Sequence, residues 1–140
     1  YLRLDKSAEI KSNKKISKII PGKWLYYRNK TTNNNLILST GSVFQNCKKI
    51  LEAKKNFNWA TLPLWGMKYK NQQLNNIKKY KKIITVENHL QDGGFGSWLS
   101  ESLSKNNNNI RTKITSKFLD DKVIGKVGSE QYLNFKYGLN

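Results

Sequence analysis

Lys82–Leu103 reads KIITVENHLQDGGFGSWLSESL, and the rest of the chain is arranged around it. Its opening, Lys82–Val86, is a run of Ile, Thr and Val between charged flanks, which predicts a buried strand. Glu87-Asn88-His89 is a polar exit from that strand. Gly93-Gly94-Phe95-Gly96 follows, a turn made easily only by backbone with little side chain. Ser97, Trp98, Leu99 and Leu103 then fit a helix with one apolar side. Strand, polar tip, glycine turn and helix make half of a βαβ unit, whose functional edge is expected at the carboxyl end of the strand.

The flanking segments extend this pattern. Lys23–Arg28 is aromatic and strand-like, and Leu36–Ser39 reads as a buried strand that ends at Thr40-Gly41-Ser42. Val43, Phe44, Cys47, Ile50 and Leu51 share a helical face, so a helix is expected from Val43 to about Lys54, with Ser42 as its N-cap. A third strand is predicted at Asn58–Leu62, stopped by Pro63, and a helical segment at Asn71–Tyr80. Asn106–Asn109 reads as a loop tip, Ile110–Thr115 as a fifth strand, and Phe118–Gly128 as an irregular connection. Ser129-Glu130 begins a last helix, Tyr132–Tyr137, stopped by Gly138. This alternation implies a three-layer α/β/α sandwich around a mostly parallel sheet.

The stretch ITVENHLQDGGFGSWLSESL resembles the hallmark of the C-terminal domain of the transketolase family. That thiamine-diphosphate family includes deoxyxylulose-phosphate synthase and the β subunits of 2-oxo acid dehydrogenases. An acid, a His and three glycines stand at fixed offsets behind a strand, and the similarity continues more weakly to both ends of the chain. The resemblance implies a five-stranded mixed sheet whose first strand, Lys23–Arg28, runs antiparallel to the others. It also implies that residues 1–20, opening on Tyr1-Leu2-Arg3-Leu4, are the end of a preceding domain with its linker, and that residues 21–140 are the C-terminal-like domain. In this family the chemistry lies in the two preceding domains. The implied role is therefore a non-catalytic C-terminal domain or split subunit of an enzyme that transfers two-carbon ketol units between sugar phosphates. Its partners would be upstream thiamine-binding domains or a separate N-terminal subunit, in a homodimeric parent. Thiamine diphosphate and Mg²⁺ belong to that parent, with none held by this chain. Trp65-Gly66 departs from the family, which tends to carry Lys-Pro-Leu-Asp after this strand.

Composition bounds the alternatives. The 140 residues fit one domain, and 11% aromatics with four Trp argue for a folded protein. The formal charge is +17, and the pI is near 10.0. A basic module binding nucleic acid or another polyanion is one reading of that charge. Against it, all but three of the cations are Lys, so the Arg forks that phosphate readers favour are scarce, and Lys, Asn and Ile together are what A/T-rich coding produces. The pairs Lys14-Lys15, Lys48-Lys49, Lys54-Lys55, Lys78-Lys79 and Lys81-Lys82 fall on different elements, as on a solvated surface. Nucleic acid is accordingly not an expected partner. One Cys and one His exclude a disulfide framework and an ordinary zinc site. No apolar run approaches membrane-spanning length, no secretory signal is recognisable, and a cytoplasmic setting is expected. A chain that opens on Tyr1 is expected to be a piece of something longer.

The candidate site residues are Glu87, His89, Gly93, Gly94, Gly96 and Ser97, weighed as an anion-binding or interface set, with no catalytic or metal-binding residue assigned. Glu87 and His89 are two apart on a strand, and an acid with an imidazole can move protons. Alternatively, Glu87 orients the glycine turn or pairs with a Lys, while His89 lies at the surface or an interface. Gly94-x-Gly96-x-x-Leu99 falls short of the dinucleotide pattern, because a bulky Leu takes the last slot. The N–H groups of Gly94–Ser97 can still hold an anion at a helix N-terminus, as a nucleotide-sensing regulatory domain would need. Cys47 reads as a small core residue rather than a nucleophile.

Overall fold

The computed structural model describes residues 18–29, 32–104 and 110–139. The strand expected at Tyr1–Leu4, nearly all of the linker and the loop tip at Asn106–Asn109 lie outside them. Five strands form one sheet: β1 (Leu25–Arg28), β2 (Asn35–Ser39), β3 (Asn58–Thr61), β4 (Lys82–Leu90) and β5 (Lys113–Leu119). Their spatial order is β1-β3-β2-β4-β5. β1 pairs antiparallel with β3, and every other pairing is parallel, as the resemblance implied. An antiparallel edge on an otherwise parallel sheet is a common arrangement in α/β folds.

The two-residue period of the strands divides the core. Leu36, Leu38, Ala60 and Ile83 point to one face, where they meet Trp24, Leu62, Ile77, Phe95, Trp98 and Leu99. Ile37, Trp59, Ile84 and Val86 point to the other, against Val43, Cys47, Ile50, Leu51 and Leu139. Helix α1 (Phe44–Ala53) therefore covers one face, while α2 (Leu74–Ile77) and α3 (Phe95–Ser104) cover the other. Leu36, Ile37, Leu38 and Ile83 are completely buried, each contributing about 1.5–3 kcal/mol of transfer free energy. The three-layer sandwich expected from the sequence is the fold of the chain.

Several boundaries differ from the sequence expectation. β4 runs on through Glu87–His89 to Leu90, with a register break against β5: Val86 lies opposite Lys117, and Leu90 opposite Leu119. The expected helix at Asn71–Tyr80 shortens to a 3₁₀ turn (Asn71–Gln73) followed by the single turn of α2. Asn competes poorly in helix interiors, and i→i−3 bonds from Lys79 and Tyr80 tighten the end. β5 begins at Lys113, not Ile110, because Thr112 is drawn under α2, its hydroxyl donating to the carbonyls of Ile77 (3.1 Å) and Tyr80 (2.7 Å). Ser42 does not cap α1, whose N-cap is Val43 with no side-chain bond. The last helix, α4 (Glu130–Lys136), is capped by Ser129, which accepts from the Tyr132 N–H. No described helix is long and apolar enough to cross a membrane.

One buried polar side chain ties the Pro21-Gly22 turn to the helical layer. Gln73 Oε1 accepts from the Trp24 indole at 2.6 Å, and its Nε2 donates to the carbonyls of Gly22 (3.1 Å) and Tyr69 (2.8 Å). Gln73→Met keeps the volume and loses all three bonds. It is expected to lower unfolding free energy by about 2–4 kcal/mol in urea titrations, since one buried donor and two carbonyls lose their partner; an unchanged midpoint would refute this role.

Candidate functional site

The candidate residues gather where β4 leaves the sheet and α3 begins. Glu87 is 2% exposed. Its Oε2 accepts the Phe95 N–H at 2.5 Å and its Oε1 the Gly96 N–H at 2.7 Å. A carboxylate on the first N–H groups of a helix satisfies donors that otherwise have no partner, and it sits at the positive end of the helix dipole. Burial pushes the Glu87 pKa above its ordinary 4.5, while the Gly96 and Phe95 N–H bonds, and then the nearby His89, pull it partly back.

Each glycine of the turn answers a different constraint. Gly93 has φ of +67°, a conformation other residues rarely adopt. A Cβ on Gly94 would stand 2.5 Å from both Glu87 Oε2 and the Leu90 carbonyl oxygen. A Cβ on Gly96 would stand 2.3 Å from Ser116 Oγ and 2.7 Å from Thr85 Oγ1, two hydroxyls bonded to each other across β4 and β5. The helix thus rests directly on the sheet. Gly94 N–H donates to the Gln91 carbonyl (3.2 Å) and Ser97 Oγ to the same oxygen (2.5 Å). Of the backbone donors considered for an external anion, those of Gly94, Phe95 and Gly96 are therefore engaged within the chain.

Glu87 and His89 do not meet as an acid–base pair. His89 is exposed, its Nδ1 3.0 Å from the Leu90 carbonyl oxygen, and both Glu87 oxygens are occupied by α3. The sheet order reverses between β2 and β4, the position where open α/β sheets usually hold ligands. Here polar side chains of the chain itself stand in that gap. Asn88 Nδ2 donates to Ser42 Oγ (2.8 Å), Ser42 donates to Glu130 Oε1 (2.9 Å), and Asn134 Nδ2 reaches the same oxygen at 3.5 Å. Sequence reading missed this network because its members lie 46 and 88 positions apart.

Beside it stands an aromatic group. Trp65 Nε1 donates to Thr40 Oγ1 (3.1 Å), and its ring lies 5.4 Å from Phe95 and 5.2 Å from Trp98. Trp65 is 36% exposed, between exposed Leu64 and Met67. Lys70, otherwise buried, pairs with Glu101 of α3. Cys47 is fully buried, and burial pushes its thiol up to about 12, so it stays protonated and unreactive. Among the described residues no three His, Cys, Asp or Glu side chains gather as a metal site would require.

No protein-family model matches this chain, and no curated protein matches it either. Among solved structures it is similar to a chain titled a split gene transketolase, inactive beta4 tetramer. The superposition has a TM-score of 0.65 at 20% identity and covers 86% of this chain. The fold is transketolase-like. The chain spans 39% of the length of that split-gene chain. In this transketolase-like fold, Glu87 and the glycines occupy the junction between the sheet and α3.

Two outcomes follow from that junction. Glu87 binds its proton more tightly folded than unfolded, so the stability it adds is fully present below pH 4.5 and is lost as pH rises through its raised folded value. Urea titrations across pH should show wild type losing stability relative to Glu87→Gln over that interval, and parallel pH profiles would contradict the assignment. Gly96→Ala should cost about 1–3 kcal/mol by lifting α3 from Thr85 and Ser116, read as a lower melting temperature.

Proposed function

We propose that this chain is the non-catalytic C-terminal part of a transketolase-like, thiamine-diphosphate-dependent enzyme, as a covalent domain or as one subunit of a split pair. The observation that carries the reading is the β4–glycine turn–α3 junction within a five-stranded sheet of this order, in a fold similar to a split-gene transketolase chain that this chain only partly spans. The carboxyl edge of the sheet, where a ligand is usually held, is satisfied by Glu87, Asn88, Ser42 and Glu130. A magnesium-bound diphosphate needs clustered carboxylate or amide oxygens open to the ligand. The arrangement at this edge does not fit that group: Glu87 is committed to α3, and Glu130 accepts from Ser42 and Asn134. In the proposed enzyme the cofactor is held by upstream thiamine-binding domains or a separate N-terminal subunit, and this part serves packing within a homodimeric, cytoplasmic parent that moves two-carbon ketol units between sugar phosphates.

Leu64, Trp65 and Met67 are exposed apolar residues, and Trp65 lies against Trp98, whose buried Nε1 has no hydrogen-bond partner among the described residues. They give such a parent a surface on which to seat this part. The test is reconstitution. The chain alone, with thiamine diphosphate, Mg²⁺ and a ketose donor, is expected to show no cofactor binding by calorimetry and no ketol transfer. Co-expression with the thiamine-binding part, whether it is encoded directly upstream of Tyr1 or as a separate subunit, is expected to restore both. Cofactor binding or turnover by the chain alone, or a pairing with that thiamine-binding part that restores neither, overturns the proposal.

A further inference from the structure

The opposite edge of the sheet carries a different chemistry. Most of the described carboxylates, Glu87, Asp92, Asp120, Asp121 and Glu130, lie at or after the carboxyl ends of β4 and β5. Glu101 is held by Lys70, and Glu52 is on α1, across the sheet from α2. The amino edge near β4 and β5 is consequently left to cations. There a cleft of about 470 Å³ is lined by Lys78, Lys79 and Lys81 from the turn after α2, by Arg111 and Thr112 from the approach to β5, and by Asn34.

Three observations mark this cleft as built rather than incidental. Its walls are fastened by backbone and hydroxyl bonds: Lys81 N–H to the Asn34 carbonyl (2.6 Å), Lys113 N–H to the Lys81 carbonyl (2.9 Å), and Thr112 to Ile77 and Tyr80. All four lining cations are exposed, and none of them forms an ion pair among the described residues. Lys82 and Lys113, which do not line the cleft, are register partners at the same edge and add two further cations to it. Sequence reading scattered these cations over separate elements. The fold brings Lys78, Lys79 and Lys81 together with Arg111, one of only three Arg in the chain and a side chain whose planar fork matches phosphate oxygens.

We propose that this amino-edge cleft binds an oligophosphate, a small molecule bearing two or more linked phosphates. Four cations on two facing segments suit a run of phosphates better than a single one, and the volume is that of a small-molecule site. A nucleic-acid strand is the poorer match, because it calls for open aromatic faces on which bases stack. Tyr80, the cleft's aromatic residue, is buried with its hydroxyl on that of Tyr26 at 3.1 Å.

The test is calorimetry on the full chain with inorganic tripolyphosphate and, separately, with ATP, at near-physiological salt. Both are expected to saturate one site and to compete for it. The double variant Lys81→Ala/Arg111→Ala should weaken both by about tenfold or more. Lys48→Ala/Lys49→Ala on α1 removes the same charge from the other face and should leave both within about twofold. Circular dichroism on each variant confirms that these exposed substitutions leave the fold intact. Absence of saturable binding overturns the proposal, as does an equal loss in both double variants, which would trace binding to net charge. A single-stranded oligonucleotide that displaces tripolyphosphate at lower phosphate concentration overturns it in favour of a nucleic-acid surface.

Discussion

A buried carboxylate lying across the first N–H groups of a helix is the contact on which the rest of this molecule depends. Glu87 lies on β4, the strand between β2 and β5, and its two oxygens fix where α3 starts and how closely it approaches the sheet. That approach is why Gly94 and Gly96 carry no side chain and why Thr85 and Ser116 can bond to each other beneath the helix. Once α3 is seated, Phe95, Trp98 and Leu99 fall into the same apolar layer as Leu36, Leu38 and Ile83. An electrostatic contact at a helix end thus positions a hydrophobic face, and the larger free energy comes from the face.

The same contact bears on function. Helix N-termini in α/β proteins are ready anion sites, and a glycine turn behind a strand invites a phosphate there. In this chain the anion is covalently part of the protein. Together with the Ser42–Asn88–Glu130 network, it turns the edge where ligands usually sit into internal structure. The cationic cleft lies at the other end of the strands, so the sheet separates a satisfied carboxyl edge from an amino-edge cleft whose cations form no ion pair among the described residues.

Legibility from sequence followed the range of the interactions involved. β2, β3, α1 and the β4–turn–α3 junction were readable because each rests on local periodicity or on glycines at short spacing. The reach of β4 through Glu87–His89 was not, since polar residues extend as a strand there only because β5 continues beside them to Leu119. Ser42 looked like a cap because its neighbours allowed it; its actual partners come from β4 and α4. The cleft was hidden for the same reason. Lys78 and Arg111 belong to different segments, and only the pairing of β4 with β5 makes them neighbours.

The order of strands also has a consequence for how the chain reaches this structure. β2 has parallel neighbours on both sides, and a parallel pair is never closed by a tight hairpin, so each pairing demands a long excursion of chain before any ladder bond repays the lost freedom. The Glu87 contacts, by contrast, close loops of only 8 and 9 positions. In topologies dominated by distant pairings, that closure entropy slows assembly. Of these contacts, those at the β4–α3 corner carry the smallest closure cost.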